Sequence, residues 1–289
     1  MPAHAFTVPS AHDVTITAYR WEPAGAPRGI VQLTHGMGEH LLRYEALADD
    51  LTAQGFLVVG QDHRGHGASA VDGQWGALGP GGWDELVADI GRLSDAVRAD
   101  HPDLPLVLLG HSMGSFAAQQ YALDRSADIT GLVLSGTALL DLLEPALDLD
   151  GPMDLSAFNA AFQPARTDYD WLSRDEEQVD RYVADPRCGF GLSAADGRQM
   201  FVSARAMADP ERLAGIRDDL PVYIVVGDQD PVNGQLTLVG PLVERLTAAG
   251  LSDVTLTVYP GARHEVFNET NRDEVVAGLL AWLDRVIPR

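Results

Sequence analysis

Gly110-His111-Ser112-Met113-Gly114 places a serine between two glycines in the pattern G-x-S-x-G. An apolar run, Leu104–Gly110, leads into it and a helical pattern, Ser115–Asp124, leads out. A sharp strand-to-helix turn holds a serine hydroxyl clear of its own backbone. Glycine is needed on either side because side chains there would collide with the neighbouring strand and helix. Such a serine can act as a nucleophile if a base takes its proton and an acid orients the base. In this elbow arrangement the chain order is serine, acid, histidine. The run Val222–Gly227 is followed by Asp228-Gln229-Asp230-Pro231, which puts two carboxylates just past a strand end. Asp230, three residues beyond Gly227 and directly before Pro231, is the preferred acid. Asp228 is assigned to the turn. Asp141 or Glu144 could serve from the end of another strand but falls inside an insertion. His264 is the one histidine of nine that lies downstream of Asp230, so the order leaves it as the base.

The tetrahedral intermediate of acyl transfer needs two backbone N–H donors. Met113, directly after the nucleophile at a helix N-terminus, supplies one. Met37 supplies the other, from His35-Gly36-Met37-Gly38-Glu39-His40, where Gly36 and Gly38 let the backbone approach a ligand. The catalytic residues expected are therefore Ser112, Asp230 and His264, with Met37 and Met113 as the oxyanion hole. His63-Arg64-Gly65-His66-Gly67 is read as a structural turn with Asp62 and Ser69 bonding backbone, because it lacks the further ligand of a zinc site. No G-x-G-x-x-G follows a first strand. No metal and no cofactor is expected.

The elements that must position these groups are strands alternating with helices. Apolar runs at Gly29–Thr34, Phe56–Gly60, Leu104–Gly110, Ile129–Ser135, Val222–Gly227 and Val254–Tyr259 read as strands. The middle runs are apolar on both faces, as in a parallel sheet covered by helices. Val14–Trp21 alternates as an exposed strand would. Helical spacing marks Tyr44–Gln54, Trp83–Ala99, Ser115–Asp124, Gly240–Ala249 and Arg272–Ile287. The expectation is an α/β fold with a mostly parallel central sheet. The rhythm breaks after about Gly136, where helical pieces (Ala138–Leu149, Ser156–Phe162, Glu176–Val183, Gly197–Ala208) are separated by prolines. The division expected is a core of residues 1–136 and 212–289 with a helical cap at 137–211. Leu139–Leu149 could lie on a membrane surface, but its polar face would carry Asp141, Glu144 and Asp148 rather than basic residues. Core packing or lining of the cap is the preferred reading.

Composition limits the partners. The 289 residues hold 42 Asp plus Glu against 20 Lys plus Arg, a net charge of −22. All 20 basic residues are arginine. An acidic chain without a basic cluster argues against nucleic acid. A lysine-free chain cannot form a lysine Schiff base. The lone Cys188 cannot make an intrachain disulfide. No signal-like start and no run of ~18–20 apolar residues is present, which predicts a cytoplasmic chain without a transmembrane segment.

Four segments give the sequence its resemblance to the α/β-hydrolase superfamily, specifically the monoglyceride lipase and lysophospholipase-like branch. They are HGMGEHLLRYEALA (His35–Ala48), DHRGHGAS (Asp62–Ser69), GHSMGS (Gly110–Ser115) and the pair GDQDPV with ARHEVFNE (Gly227–Val232, Ala262–Glu269). The resemblance implies an α/β-hydrolase fold, Ser112 as nucleophile, Asp230 as acid, His264 as base, and a cap over an acyl pocket. Ser115 stands where relatives often have a second glycine, a departure not expected to affect the chemistry. The function implied is a serine carboxylester hydrolase, monoacylglycerol lipase-like, acting on a neutral single-chain acyl ester. Alternatives are a lysophospholipase, a proline iminopeptidase-like amidase that would hold an amine on cap carboxylates (Asp141, Glu144, Asp148, Asp150 or Asp154), and a non-catalytic ligand-binding form of the fold. A small-molecule ester is the expected partner. Transient lipid contact through the cap and the oligomeric state are left open.

Overall fold

The computed structural model describes residues 3–71, 73–147 and 149–288. Asp148, expected on the polar face of the leucine-rich stretch, lies outside the described residues. Eight strands form one sheet: β1 (His4–Pro9), β2 (Thr15–Trp21), β3 (Gly29–Thr34), β4 (Phe56–Gln61), β5 (Leu106–His111), β6 (Gly131–Ser135), β7 (Val222–Gly227) and β8 (Val254–Tyr259). They lie in the order β1-β2-β4-β3-β5-β6-β7-β8. From β4 to β8 neighbouring strands are parallel; β2 runs antiparallel to both β1 and β4.

Every residue of β3 to β7 is buried, and side chains alternate between two cores. Val31, Leu33, Val107, Leu109 and Val225 face α1 (Glu45–Ala53) and α9 (Arg272–Val286). Ile30, Leu106, Leu108, Leu134 and Ile224 face α2 (Gly82–Asp100), α3 (Met113–Arg125) and, further along the chain, α8 (Gly240–Ala248). Apolarity on both faces was therefore the correct sign of a doubly covered parallel sheet.

Three sequence expectations need correction. The strand at 14–21 is not exposed: β1 pairs along one side of β2 and β4 along the other. The short β1, which ends in Pro9, carried too weak a pattern to be seen and takes the edge position itself. The third helix begins at Met113 rather than Ser115, with Ser112 as its N-cap. Ala138–Leu149 is not one helix either. It holds a single turn, α4 (Leu140–Leu143), followed by a 3₁₀ turn over Glu144–Ala146. Pro145 has no N–H with which to continue the α-helical ladder. The single amphipathic helix considered for Leu139–Leu149 is therefore not formed. Of its described acids, Asp141 pairs with Arg245 and Glu144 with Arg205.

The rest of the segment between β6 and β7 carries a 3₁₀ stretch (Leu155–Phe162), α5 (Glu176–Ala184), α6 (Ala194–Ala204), a 3₁₀ turn (Arg205–Ala208) and α7 (Pro210–Leu213). Among the described residues, no helix is long and apolar enough to cross a membrane.

Candidate active site

The expected functional residues all lie beyond the C-terminal ends of parallel strands. Ser112 follows β5, Asp230 follows β7, His264 follows β8 and Met37 follows β3. Ligand sites of open parallel sheets gather at this end, where the loops from adjacent strands converge.

Ser112 sits at φ 51°, ψ −124°, a left-handed conformation that non-glycine residues rarely adopt. The tightness of the turn imposes it. A Cβ on Gly110 would lie 2.5 Å from the Gly114 carbonyl oxygen, and one on Gly114 would lie 2.2 Å from that of Thr34. The elbow thus packs against its own helix on one side and β3 on the other, as the glycines implied. The Ser112 N–H donates to Ser135 on β6 at 2.9 Å, anchoring the turn to the sheet.

Asp230 is fully buried and His264 nearly so. His264 Nδ1 and Asp230 Oδ2 are 2.9 Å apart. A carboxylate there fixes the tautomer with the proton on Nδ1 and leaves Nε2 as the acceptor. The two loops are tied together. Gln229 N–H donates to the Ala262 carbonyl at 3.0 Å, and Gly261 N–H donates to Asp228 Oδ1 at 2.7 Å. Asp228 therefore serves the turn. Burial lowers the His264 pKa, but the charge and hydrogen bond of Asp230, with the charges of Glu265 and Glu39, more than offset this. The net shift is upward from 6.5.

Ser112 and His264 line one cavity, together with Gly36, Met37 and Met113. No protein acceptor among the described residues takes the N–H of Met37 or Met113, whereas Gly36 N–H donates to Glu39 Oε1 at 2.6 Å. The two glycines of this loop also sit close against protein. A Cβ on Gly36 would lie 2.8 Å from Glu39 Oε1. One on Gly38, at φ 65°, would lie 2.3 Å from the Phe190 carbonyl oxygen. A Cβ on Gly36 would also lie 3.1 Å from Ser112 Cβ, and Gly36 lines the cavity, while Gly38 admits the backbone of the β6–β7 segment.

The remaining cavity wall is mainly apolar and comes largely from the β6–β7 segment: Leu140, Leu143, Leu147, Met153, Leu155 and Phe158, among others. The Trp171 ring lies against that of His264, tilted at 40° with centroids 4.9 Å apart. Hydrogen bonds fasten this part of the segment to the histidine loop: Glu265 N–H donates to the Leu172 carbonyl at 2.7 Å and the Ser173 hydroxyl to that of Asn268 at 2.8 Å.

Several groups at the site had no sequence signal beyond membership of a motif. Arg43 donates to Glu39 Oε2 at 2.5 Å and holds both carboxylate oxygens of Glu265, at 2.6 and 2.8 Å. Burial works against the charge on each partner, but their mutual attraction wins. It holds Glu265 well below the usual carboxylate range and Arg43 well above its ordinary value. Ser115 Oγ donates to the Ser112 carbonyl at 2.6 Å and lies 2.9 Å from the Thr137 hydroxyl, so the glycine-to-serine departure adds a bond at the elbow. Gly136 ends β6 at φ 53°, and a Cβ there would lie 3.0 Å from His264 Cε1.

The histidine-rich turn is structural in its contacts. Asp62 accepts from Leu41 and Ala68 N–H at 2.8 and 2.7 Å, and Ser69 accepts from Thr17 N–H at 2.8 Å. Arg64 is buried against Asp89 at 2.9 Å. Burial and the neighbouring His66 push His63 down to about 3. Burial pushes His66 to about 4. Elsewhere, possible ligand atoms of His40, Asp185 and Cys188 lie within 4.8 Å of one another. Asp185 is already held by Arg187 and His40. Burial pushes the Cys188 thiol upward, which disfavours the thiolate a metal would need.

This chain matches the family model Hydrolase_4, described as serine aminopeptidase, S33, over residues 25–271. It is 36% identical to a monoacylglycerol lipase of Mycolicibacterium smegmatis over 91% of this chain and 90% of that protein. It is 32% identical to the human monoglyceride lipase over 86% of this chain and 79% of that protein. Among solved structures, a thermostable carboxyl esterase from Bacillus coagulans, crystallised with glycerol, superposes with a TM-score of 0.88. That similarity carries 30% identity and covers 99% of both chains.

Proposed function

Because the chain belongs to the α/β-hydrolase family of serine hydrolases, in its monoglyceride lipase-like branch, we propose that it cleaves neutral single-chain acyl esters such as monoacylglycerols, with Ser112, His264 and Asp230 as the reacting groups. The observation that carries this reading is the cavity itself. One apolar chamber, walled by Leu140, Leu143, Met153, Leu155 and Phe158, opens onto Ser112 and His264.

In this reading His264 Nε2 takes the proton of Ser112 Oγ as the oxygen attacks the ester carbonyl. Asp230 orients the ring through Nδ1 and stabilises the imidazolium. The N–H groups of Met37 and Met113 receive the oxyanion. His264 then protonates the departing alcohol, leaving an acyl-Ser112 ester. Water, deprotonated by the same histidine, hydrolyses that ester and restores the serine. Residues 137–211 act as a cap whose apolar side chains take the acyl chain.

The polar end of the cavity favours an uncharged head group. Glu39 and Glu265 line it, and Arg43 between them is already engaged by both, so an anionic lysophospholipid head group would meet a net negative charge. The amidase reading is less well supported, because three of the cap acids it would use are engaged elsewhere. Asp141 pairs with Arg245, Glu144 with Arg205, and Asp154 caps Ser156.

A fluorophosphonate probe is expected to label the wild type. Ser112→Ala is expected to lose labelling and turnover of a medium-chain monoacylglycerol by at least about 10⁴-fold. A panel of monoacylglycerol, lysophospholipid and aminoacyl anilide should be turned over in that order. Faster cleavage of the anilide would overturn the substrate assignment, and labelling that survives the substitution would overturn the nucleophile.

A further inference from the structure

Arg43 stands where three loops meet. From the β3 loop, Glu39 gives it one carboxylate oxygen, and the other oxygen of Glu39 accepts from Gly36 N–H at 2.6 Å and from Tyr44 at 2.8 Å. From the β8 loop, Glu265 gives it both oxygens at 2.6 and 2.8 Å, and Asn268 also donates to Glu265 at 2.9 Å. From the β6–β7 segment, the Tyr182 ring lies 4.8 Å from the guanidinium carbon. Both carboxylates and the arginine are almost fully shielded from solvent: side-chain exposure is 11% for Arg43, 4% for Glu39 and 6% for Glu265.

Glu265 is the residue directly after His264. Gly36 is the residue directly before Met37. One guanidinium fork therefore fixes the backbone on both sides of the space where an ester carbonyl must sit. A buried bidentate pair is geometrically exacting, and its value lies more in specifying one arrangement than in stability.

We propose that Glu265, gripped by Arg43 and through it by Glu39, is a positioning residue that locks the His264 loop in register with the oxyanion loop. The inference rests on the reading of His264 as base and Met37 as an oxyanion donor. Neither Glu265 nor Arg43 is needed to touch the reacting atoms for this role.

The charged surroundings of His264 provide a readout that simple loss of packing would not move. Its ring faces Asp230 from the β7 loop, His111 from β5 at 4.8 Å and Trp171 from the inserted segment at 4.9 Å. The charges of Glu265 and Glu39 also act on it. Arg43 pairs with both, Tyr44 bonds Glu39, Tyr182 and Cys188 lie by Arg43, and Arg263 is beside His264 in sequence. His111 is kept neutral, pushed down to about 4 by burial and by His264. Burial also raises Tyr44, Tyr182 and Cys188, keeping them uncharged. The charges that matter are thus Asp230, Glu39 and Glu265 against Arg43.

Two substitutions separate charge from geometry. Glu265→Gln keeps the shape and removes one negative charge. The acidic limb of kcat/KM should then move to lower pH by about half a unit to one unit. Arg43→Lys keeps the charge and removes the fork. The limb should stay in place while kcat falls about 10-fold and KM changes by less than about twofold. Rates are taken per active site titrated with fluorophosphonate, so unfolded protein does not count.

Both shifts together support the proposal. Wild-type kcat per titrated site and an unmoved limb in both variants would overturn it, as would a loss of activity that only tracks the number of folded sites. A wild type with no acidic limb in the histidine range would instead overturn the assignment of His264 as base, so the two failures are distinct.

Discussion

Gly136 offers a sharp test of how the sheet controls the base. It is the residue between β6 and the inserted segment, at φ 53°. A methyl group there would lie 2.9 Å from His111 Cε1 and 3.0 Å from both Cε1 and the carbonyl oxygen of His264. Gly136→Ala therefore carries two costs. A left-handed backbone at a residue with Cβ costs about 1–2 kcal/mol, and pushing two packed rings aside by a few tenths of an ångström costs about 1–2 kcal/mol more. With about 2.1 cal/mol/K per residue, a chain of 289 residues unfolds with about 0.6 kcal/mol/K, so about 2–4 kcal/mol lowers Tm by about 3–7 °C. The displacement falls on His264, so kcat should fall about 10- to 100-fold. Gly79→Ala is the matched control. Gly79 sits at φ 74°, and a Cβ there would meet nothing within 4 Å, so the substitution carries the backbone cost alone, about 1–2 kcal/mol, and should leave kcat unchanged. Thermal melts and ester hydrolysis per titrated site give both numbers. Equal kcat in the two variants would refute the claim that Gly136 exists to seat the histidine.

Three further outcomes are expected. His264 is shifted upward from 6.5 and must be neutral to act as base, so activity is complete above the raised value and is lost as pH falls through it. A kcat/KM profile from about pH 5 to about 9 should place the acidic limb above 6.5, and a limb below 6.5 would contradict the geometry around Asp230. Asp230→Asn should lower kcat by about 10⁴-fold while leaving the fold intact, because the amide supports the wrong tautomer of His264; near-normal turnover would mean another acid serves. Leu143→Trp should fill part of the apolar wall and shift preference from long-chain to short-chain p-nitrophenyl esters by about 10-fold or more, and an unchanged chain-length profile would place the acyl chain elsewhere.

The parallel strands and the helices packed on them were legible in the sequence because their signals are local. Val222–Gly227 and Val254–Tyr259 are runs whose ends match the structure residue for residue. The elbow was legible for the same reason: Gly110 and Gly114 stand at fixed offsets from Ser112, and the turn they build is complete within a few residues. The choice of Asp230 and His264 rested on chain order and strand ends, and the structure brings those two side chains to 2.9 Å. Where local pattern was weak, reading it failed. β1 was missed, so β2 was taken for an exposed strand, and the leucine spacing at 139–149 was read as a helix although Pro145 interrupts it.

By itself the sequence determined the strand and helix periods, the elbow glycines, the one serine at the elbow and the one histidine beyond Asp230. Each follows from residue type and spacing along the chain. Tertiary structure decided which side chains complete the site. Arg43 and Glu265 are separated by 222 residues. Gly36 faces Glu39 and Ser112, and Gly136 faces His264. These contacts arise from how the parallel sheet orders its strands, which brings the loops after β3, β5, β7 and β8 to one edge. Nothing in local spacing records that order, because hydrogen-bond pairing across the sheet, and not neighbourhood in the chain, sets which loops meet.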